Sequence, residues 1–242
     1  MQRLPSLPPP LTRGLALAAV AACAALAALS APRTAGSAPR LEPCTSKPGY
    51  SYAGFQSARR GHGVRATLAA LASPRVNNGH VAAWIGVGGA GLGPNGSNQW
   101  LQVGMNAFQD SGSNLYYEVA AGGNAPRYHE IAAGVAPGRR HRVAVLEMSH
   151  RRDHWRVWLD GKPVSRPIYL RGSSGRFEPI ATAETWYGGA RGCNRLAYRF
   201  DGLGVAAGRG GSWQPFRRAH RFHDQGYQIV RSTTSASFVA RL

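Results

Sequence analysis

The chain has 242 residues, 43% of them hydrophobic, and carries 29 Lys and Arg against 11 Asp and Glu, a formal net charge of +18. That length supports one sizeable core, and the absence of any CxxC pair among the three cysteines excludes the zinc sites built on that spacing. Lys47 and Lys162 are the only lysines, so the charge is almost entirely arginine; it draws anionic polymers without specificity and in a salt-sensitive way.

Residues 1–38 read as a secretory signal peptide and short tether. Arg3 and Arg13 precede an apolar run over 15–29, too short to cross a bilayer but suited to the hydrophobic region of a leader. Ala28 and Ser30, or Ala35 and Ser37, offer cleavage positions. Val20 to Cys23 loosely matches a lipoprotein box, yet apolar residues continue beyond Cys23, where a lipid-anchored chain turns polar. The expectation is bacterial-type export and release, with membrane contact only through the leader. Arg3, Arg13 and Arg33 leave with it, and no acid does, which takes the charge from +18 to +15. Cys44 and Cys193 remain and are expected to form one disulfide, worth about 4–5 kcal/mol through the long loop it closes. Two unpaired thiols are the alternative.

Residues 39–242 read as a single domain of short strands. Apolar alternation marks strands over 64–71, 81–87, 100–105, 115–119, 142–148, 155–159, 168–170, 180–187, 196–205, 227–230 and 237–240. In the second of these Val81, Ala83, Ile85 and Val87 alternate with Ala82, Trp84 and Gly86. In the third, Leu101, Val103 and Met105 form one row and Trp100, Gln102, Gly104 and Asn106 the other. Asp160-Gly161 is a hairpin turn signal, and Pro163 and Pro167 place the adjoining strand at a sheet edge. No segment sustains a 3.6-residue apolar period. The fold class is therefore all-β, a sandwich or barrel. Arg217, Arg218, His220, Arg221 and His223 interleave with Trp213, Phe216 and Phe222 near the C-terminus. That stretch is expected to be a solvated loop whose aromatics cap the core, rather than a specific nucleic-acid reader.

Several motifs carry no chemistry. Gly86 to Gly91 spells GxGxxG, but Gly93, Pro94, Asn95 and Gly96 follow, and no helix opens there to hold a pyrophosphate. His141, His150 and His154 sit among arginines that oppose a divalent cation. There is no GxSxG elbow, and no two acids lie one pleat apart on a predicted strand as a local glycosidase pair. Neither a metal nor a cofactor is implied. Glu184 is the distinctive acid: it shares a strand face with Ile180, Thr182 and Trp186, a setting that desolvates a carboxyl, and the alternative is an acid paired with arginine.

Taken in order, AAWIGVGG, NQWLQVG, LYYE, a strand entered by a Gly-Arg turn, TAETW and the closing Ser237-Phe238-Val239 resemble the secreted glutamic peptidases, or eqolisins. The resemblance spans roughly residues 50–242. It implies a concanavalin-like jelly roll of two antiparallel sheets. It also implies a Gln/Glu dyad on a concave face, the glutamate activating water and the glutamine stabilising the oxyanion. Gln102 falls on the family's glutamine, and Glu118 on a cleft glutamate that follows a tyrosine. The family has two glutamates four residues apart in the later strand, the second catalytic, and alignment on Ala183-Glu184 puts Gly188 at that place. Either Glu184 has taken over, or the chain does not cut peptides. The candidates are thus Gln102 and Glu184 for catalysis, with Trp84, Trp100, Asn106, Tyr117, Glu118 and Trp186 contacting a ligand. Three functions stand open: a non-catalytic module binding glycan or extended peptide, a glutamic endopeptidase, and electrostatic adhesion to anionic polymers.

Overall fold

Runs in which every second side chain is apolar need a surface to cover, and here two sheets cover each other. The computed structural model describes residues 49–123, 125–186, 194–216, 219–231 and 236–242. The leader, Cys44, Gly188 and Cys193 lie outside the described residues, and with them the expected disulfide.

The first sheet has seven strands in the order β16 (Ala219–His223), β1 (Tyr50–Ser57), β12 (Ile180–Trp186), β4 (His80–Gly89), β5 (Gln99–Phe108), β6 (Ser113–Ala121) and β7 (Arg127–Val135). The second runs β10 (Lys162–Pro163), β9 (His154–Leu159), β8 (His141–Glu147), β2 (Gly63–Ala70), β14 (Ala197–Ala206), β18 (Phe238–Arg241) and β17 (Gln228–Arg231). Two short strands, β11 (Ile168–Tyr169) and β15 (Trp213–Pro215), join its β9 and β14, and β3 (Arg75–Val76) pairs with β13 (Asn194–Arg195) apart from both. The pairings that build the two large sheets are antiparallel. This is an all-β sandwich, one of the two architectures that the alternation allows, with the two antiparallel sheets that the eqolisin resemblance implies.

Between the layers sit Leu68, Ile85, Leu101, Met105, Leu115, Trp155, Phe200 and Phe238, all essentially without solvent contact. The row Leu101, Val103, Met105 faces this core, so Trp100, Gln102 and Asn106 take the outer face of the first sheet. The glycine-rich segment makes one 3₁₀ turn, Pro94–Gly96, and no longer helix. Asp160 and Gly161 have φ of 49° and 84° and close the turn between β9 and β10, the latter an edge strand ending in Pro163.

The aromatic and basic stretch near the C-terminus departs from expectation. Phe216 does enter the core, but 213–215 and 219–223 are strands, and β16 is the outermost strand of the first sheet beside β1. Its open-sided position hides it from sequence reading, because an edge strand needs no apolar alternation of its own.

Candidate functional site

The first sheet's outer face is organised in rows that cross the strands. One row is Tyr50, Trp186, His80 and Phe108. The next is Tyr52, Glu184, Ala82, Asn106 and Asn114. The third holds Gly54, Thr182, Trp84, Gly104, Tyr116 and Glu130. The fourth holds Gln56, Ile180, Gly86, Gln102, Glu118 and Tyr128. Three glycines draw these strands together on this side. A Cβ on Gly54 would stand 2.8 Å from that of Thr182, one on Gly86 would stand 2.9 Å from that of Gln102, and one on Gly104 would stand 2.7 Å from that of Trp84. Cross-strand Cβ atoms ordinarily keep about 4.5–5.5 Å. With those side chains missing, Trp84, Tyr116, Asn106 and Glu184 are buried on this outer face although they lie outside the sandwich core, and the strip they line is the furrow.

Two furrow carboxylates, Glu184 and Glu118, are each held by an indole. Trp84 Nε1 donates to Glu184 Oε2 at 2.9 Å, and His80 Nε2 lies 3.1 Å from Glu184 Oε1. Trp100 Nε1 donates to Glu118 Oε1 at 2.9 Å. Burial raises the Glu118 carboxyl above its ordinary 4.5; the Trp100 bond opposes this, the Glu184 charge adds to it, and His80 works against it. Burial, followed by the charges of Glu184 and Glu118, pushes the Tyr50 phenol up to about 12. Burial and Glu184 raise Tyr52 further, so both phenols stay neutral donors. The Gln102 amide donates to Tyr116 Oη at 3.2 Å, and Asn106 Nδ2 to Tyr128 Oη at 3.2 Å. Asn106 Oδ1 is buried with no hydrogen-bond partner.

Of the residues singled out from sequence, Trp84, Trp100, Gln102, Asn106, Glu118, Glu184 and Trp186 gather on this face. Tyr117 does not. It points to the other side of β6, packs against the edge of the main core and stacks on His129 with centroids 4.4 Å apart. Successive residues of a strand face opposite ways, so Glu118 shares its face with Tyr116, not with Tyr117. Tyr116, Tyr50, Tyr52, His80 and Tyr128 belong to the furrow and were missed. Counting back two residues from Glu118 yields Tyr116; the other tyrosines depend on the placement of β1 and β7.

Register also separates Gln102 from Glu184. The β12 residue in line with Gln102, across Gly86, is Ile180. Glu184 lies four residues further along β12, about 16 Å away between Cα atoms at ideal strand spacing. Trp84 and Tyr116 fill the row between. Glu118, by contrast, lies directly across from Gln102 on β6.

Among the described residues no group of three His, Cys, Asp or Glu is arranged to hold a metal ion. His141 instead meets Asp160 at 2.9 Å, and His154 Nδ1 donates to the Arg152 carbonyl. A second buried acid, Glu147, is fully enclosed on the core side of β8. It lies 2.6 Å from His62 Nδ1 and accepts the Asp153 N–H at 2.8 Å, which fixes the turn between β8 and β9.

No family model matches the sequence, and no curated protein matches it. Solved structures do. Scytalido-glutamic peptidase bound to a peptide-based transition state analog superposes with a TM-score of 0.56 at 14% identity, over 80% of this chain and 98% of that one. The fold is eqolisin-like. SCP-B, an eqolisin solved with the tripeptide Ala-Ile-His, gives 0.50 at 14% identity over 81% and 98%. Sheep galectin-11 aligns at 0.32, with 13% identity over 57% and 90%. At such identities the likeness concerns the eqolisin-like sandwich itself and not the chemistry on its surface.

Proposed function

We propose that this chain binds an extended glycan or peptide along the furrow of the first sheet and releases it uncut. The observation that carries this reading is the row through Gln102. A glutamine and a glutamate that activate water must share it within hydrogen-bond reach. Ile180 stands where such an acid would face Gln102 across the open floor at Gly86, and Glu184 is two rows away, bonded to Trp84 and His80. What remains suits binding. Tyr50, Trp186, His80 and Phe108 offer rings for stacking, while Glu118, Gln102 and Asn106 offer polar edges.

The test is titration of the mature protein with soluble glycans and with peptides from a denatured protein, at about 0.1 M and about 1 M salt. A ligand retained at high salt and lost roughly tenfold or more in Trp100→Ala and Trp186→Ala supports the reading. Cutting of the denatured protein anywhere from about pH 2 to 7 removes it.

One observation favours a second reading, an acid endopeptidase. Glu118 faces Gln102 directly, and its raised carboxyl suits a general acid or base. In that case Gln102→Ala and Glu118→Gln each abolish cutting while Glu184→Gln spares it; the reverse dependence returns the role to Glu184.

A further inference from the structure

The two outward faces of the sandwich carry opposite charge. Glu118, Glu130 and Glu184 stand in the furrow rows; at its margin Glu178 accepts from Gln56, and Asp224 accepts the Tyr52 N–H at 2.7 Å. Those are five of the chain's 11 acids. The second sheet turns the other way. Arg156 lies between the core residues Trp155 and Val157, Arg65 between Val64 and Ala66, and Arg199 between Tyr198 and Phe200. Arg142 precedes Val143 and Arg241 follows Ala240 in the same phase, so the pleat aims all five outward.

Their register is regular. Arg156 is in line with Leu146, Arg65 with Ala144, Arg142 with Thr67, Arg199 with Ala69 and Arg241 with Ala197. These are successive outward rows of one sheet, about 7 Å apart, each bringing one guanidinium over a length of about 27 Å. Among the described residues none of the five makes an ion pair. Two acids lie in the Arg142 row and both are engaged: Asp201 is held by Arg140 at 3.0 Å, and Asp160 meets His141 at 2.9 Å while accepting the Arg142 N–H at 2.8 Å.

We infer that this arginine ladder is a second binding face, separate from the furrow, and that its occupant is a linear polysaccharide bearing carboxylate or sulfate groups. Guanidinium forks bind such groups in the plane, two hydrogen bonds at a time. A single-stranded nucleic acid fits less well, because it needs free ring faces on which bases stack. Here the Trp213 ring is covered by the Arg65 guanidinium at 4.8 Å, Trp158 is half-buried with its indole nitrogen enclosed, and the exposed Tyr169 ring lies against His154 at 5.0 Å, one row beyond Arg156.

The experiment compares three variants of the mature chain with the parent, using polygalacturonate and oligothymidylate as probes at matched salt. Arg65, Arg142, Arg199 and Arg241 are exposed; changing all four to Gln gives up the Arg65 contact with the Trp213 ring, so far-ultraviolet dichroism checks that the variant is folded. That variant is expected to lose roughly tenfold in polygalacturonate affinity. A charge-matched control with Arg60, Arg127, Arg171 and Arg176 changed to Gln is expected to lose less than about threefold. Trp100→Ala, which disables the furrow, is expected to leave polygalacturonate binding unchanged, so this face and the furrow stand or fall separately. Equal losses in the two arginine variants mean that binding follows net charge alone, and the proposal falls. Tighter binding of oligothymidylate than of polygalacturonate by the parent also overturns it.

Discussion

Indole N–H groups from Trp84 and Trp100 reach Glu184 and Glu118 at 2.9 Å each, so the furrow's acids are fixed in place before any ligand arrives. Preorganised acceptors of this kind lose little freedom on binding. Glu118 is the one whose protonation reports on the fold. Burial raises its carboxyl above 4.5, so the folded state favours the neutral acid. Its contribution to stability is complete below about pH 4.5 and drains away as pH rises through the raised value. Glu118→Gln mimics the neutral form and removes that dependence. Thermal unfolding from about pH 4 to 7 is therefore expected to show the parent losing stability relative to the variant as pH rises. Parallel curves would leave the carboxyl in an ordinary, solvated setting. Alternation puts Trp84, Trp100 and Glu184 on one side of their strands, whereas Glu118 comes from the eqolisin resemblance. The tyrosine before Glu118 in that match, Tyr117, takes the opposite face by strand phase.

Strands β4 and β5 hold the furrow's floor, and their outer sides approach through Gly86 and Gly104. A Cβ at Gly104 would collide with the Ala83 carbonyl oxygen and lie 2.7 Å from the Trp84 Cβ. Gly104→Ala must therefore spread the two strands and tilt the Trp84 indole off Glu184. The expected cost is about 1–3 kcal/mol in denaturant unfolding, together with weaker binding in the furrow. A substitution that is neutral in both would mean that the strands are not held this close. At this scale the legible elements were those with one buried face. Strand β7 is exposed along nearly its whole length, and β16 lines a sheet edge, so neither shows the apolar rhythm that identifies β4 or β5. Strand β1 does alternate, with Ala53 and Phe55 buried and Tyr52 turned to the furrow, but its small and polar residues dilute the pattern. The furrow's tyrosines went unseen because β1 and β7 carry three of them.

Across the whole molecule, the C-terminal third ties the layers together. Strand β16 adds to the first sheet while β17 and β18 add to the second, so neither sheet is complete without chain from beyond residue 218. The link has an aromatic centre: Phe238 on β18 stacks on Phe200 at 4.3 Å and meets Phe55, from β1 of the opposite sheet, at 4.9 Å. Two sheets that share such a centre cannot unfold one after the other without exposing it. Residues 39–242 are accordingly expected to unfold in a single transition, with fluorescence and far-ultraviolet dichroism changing together. Phe238→Ala removes the ring from both contacts and is expected to cost about 3–5 kcal/mol while the transition stays single, since the cavity lies between the layers. Separate transitions for the two probes, in the parent or the variant, would show that the sheets hold themselves up independently. The furrow would then rest on the first sheet alone, and damage at Phe238 would leave its ligand affinity untouched.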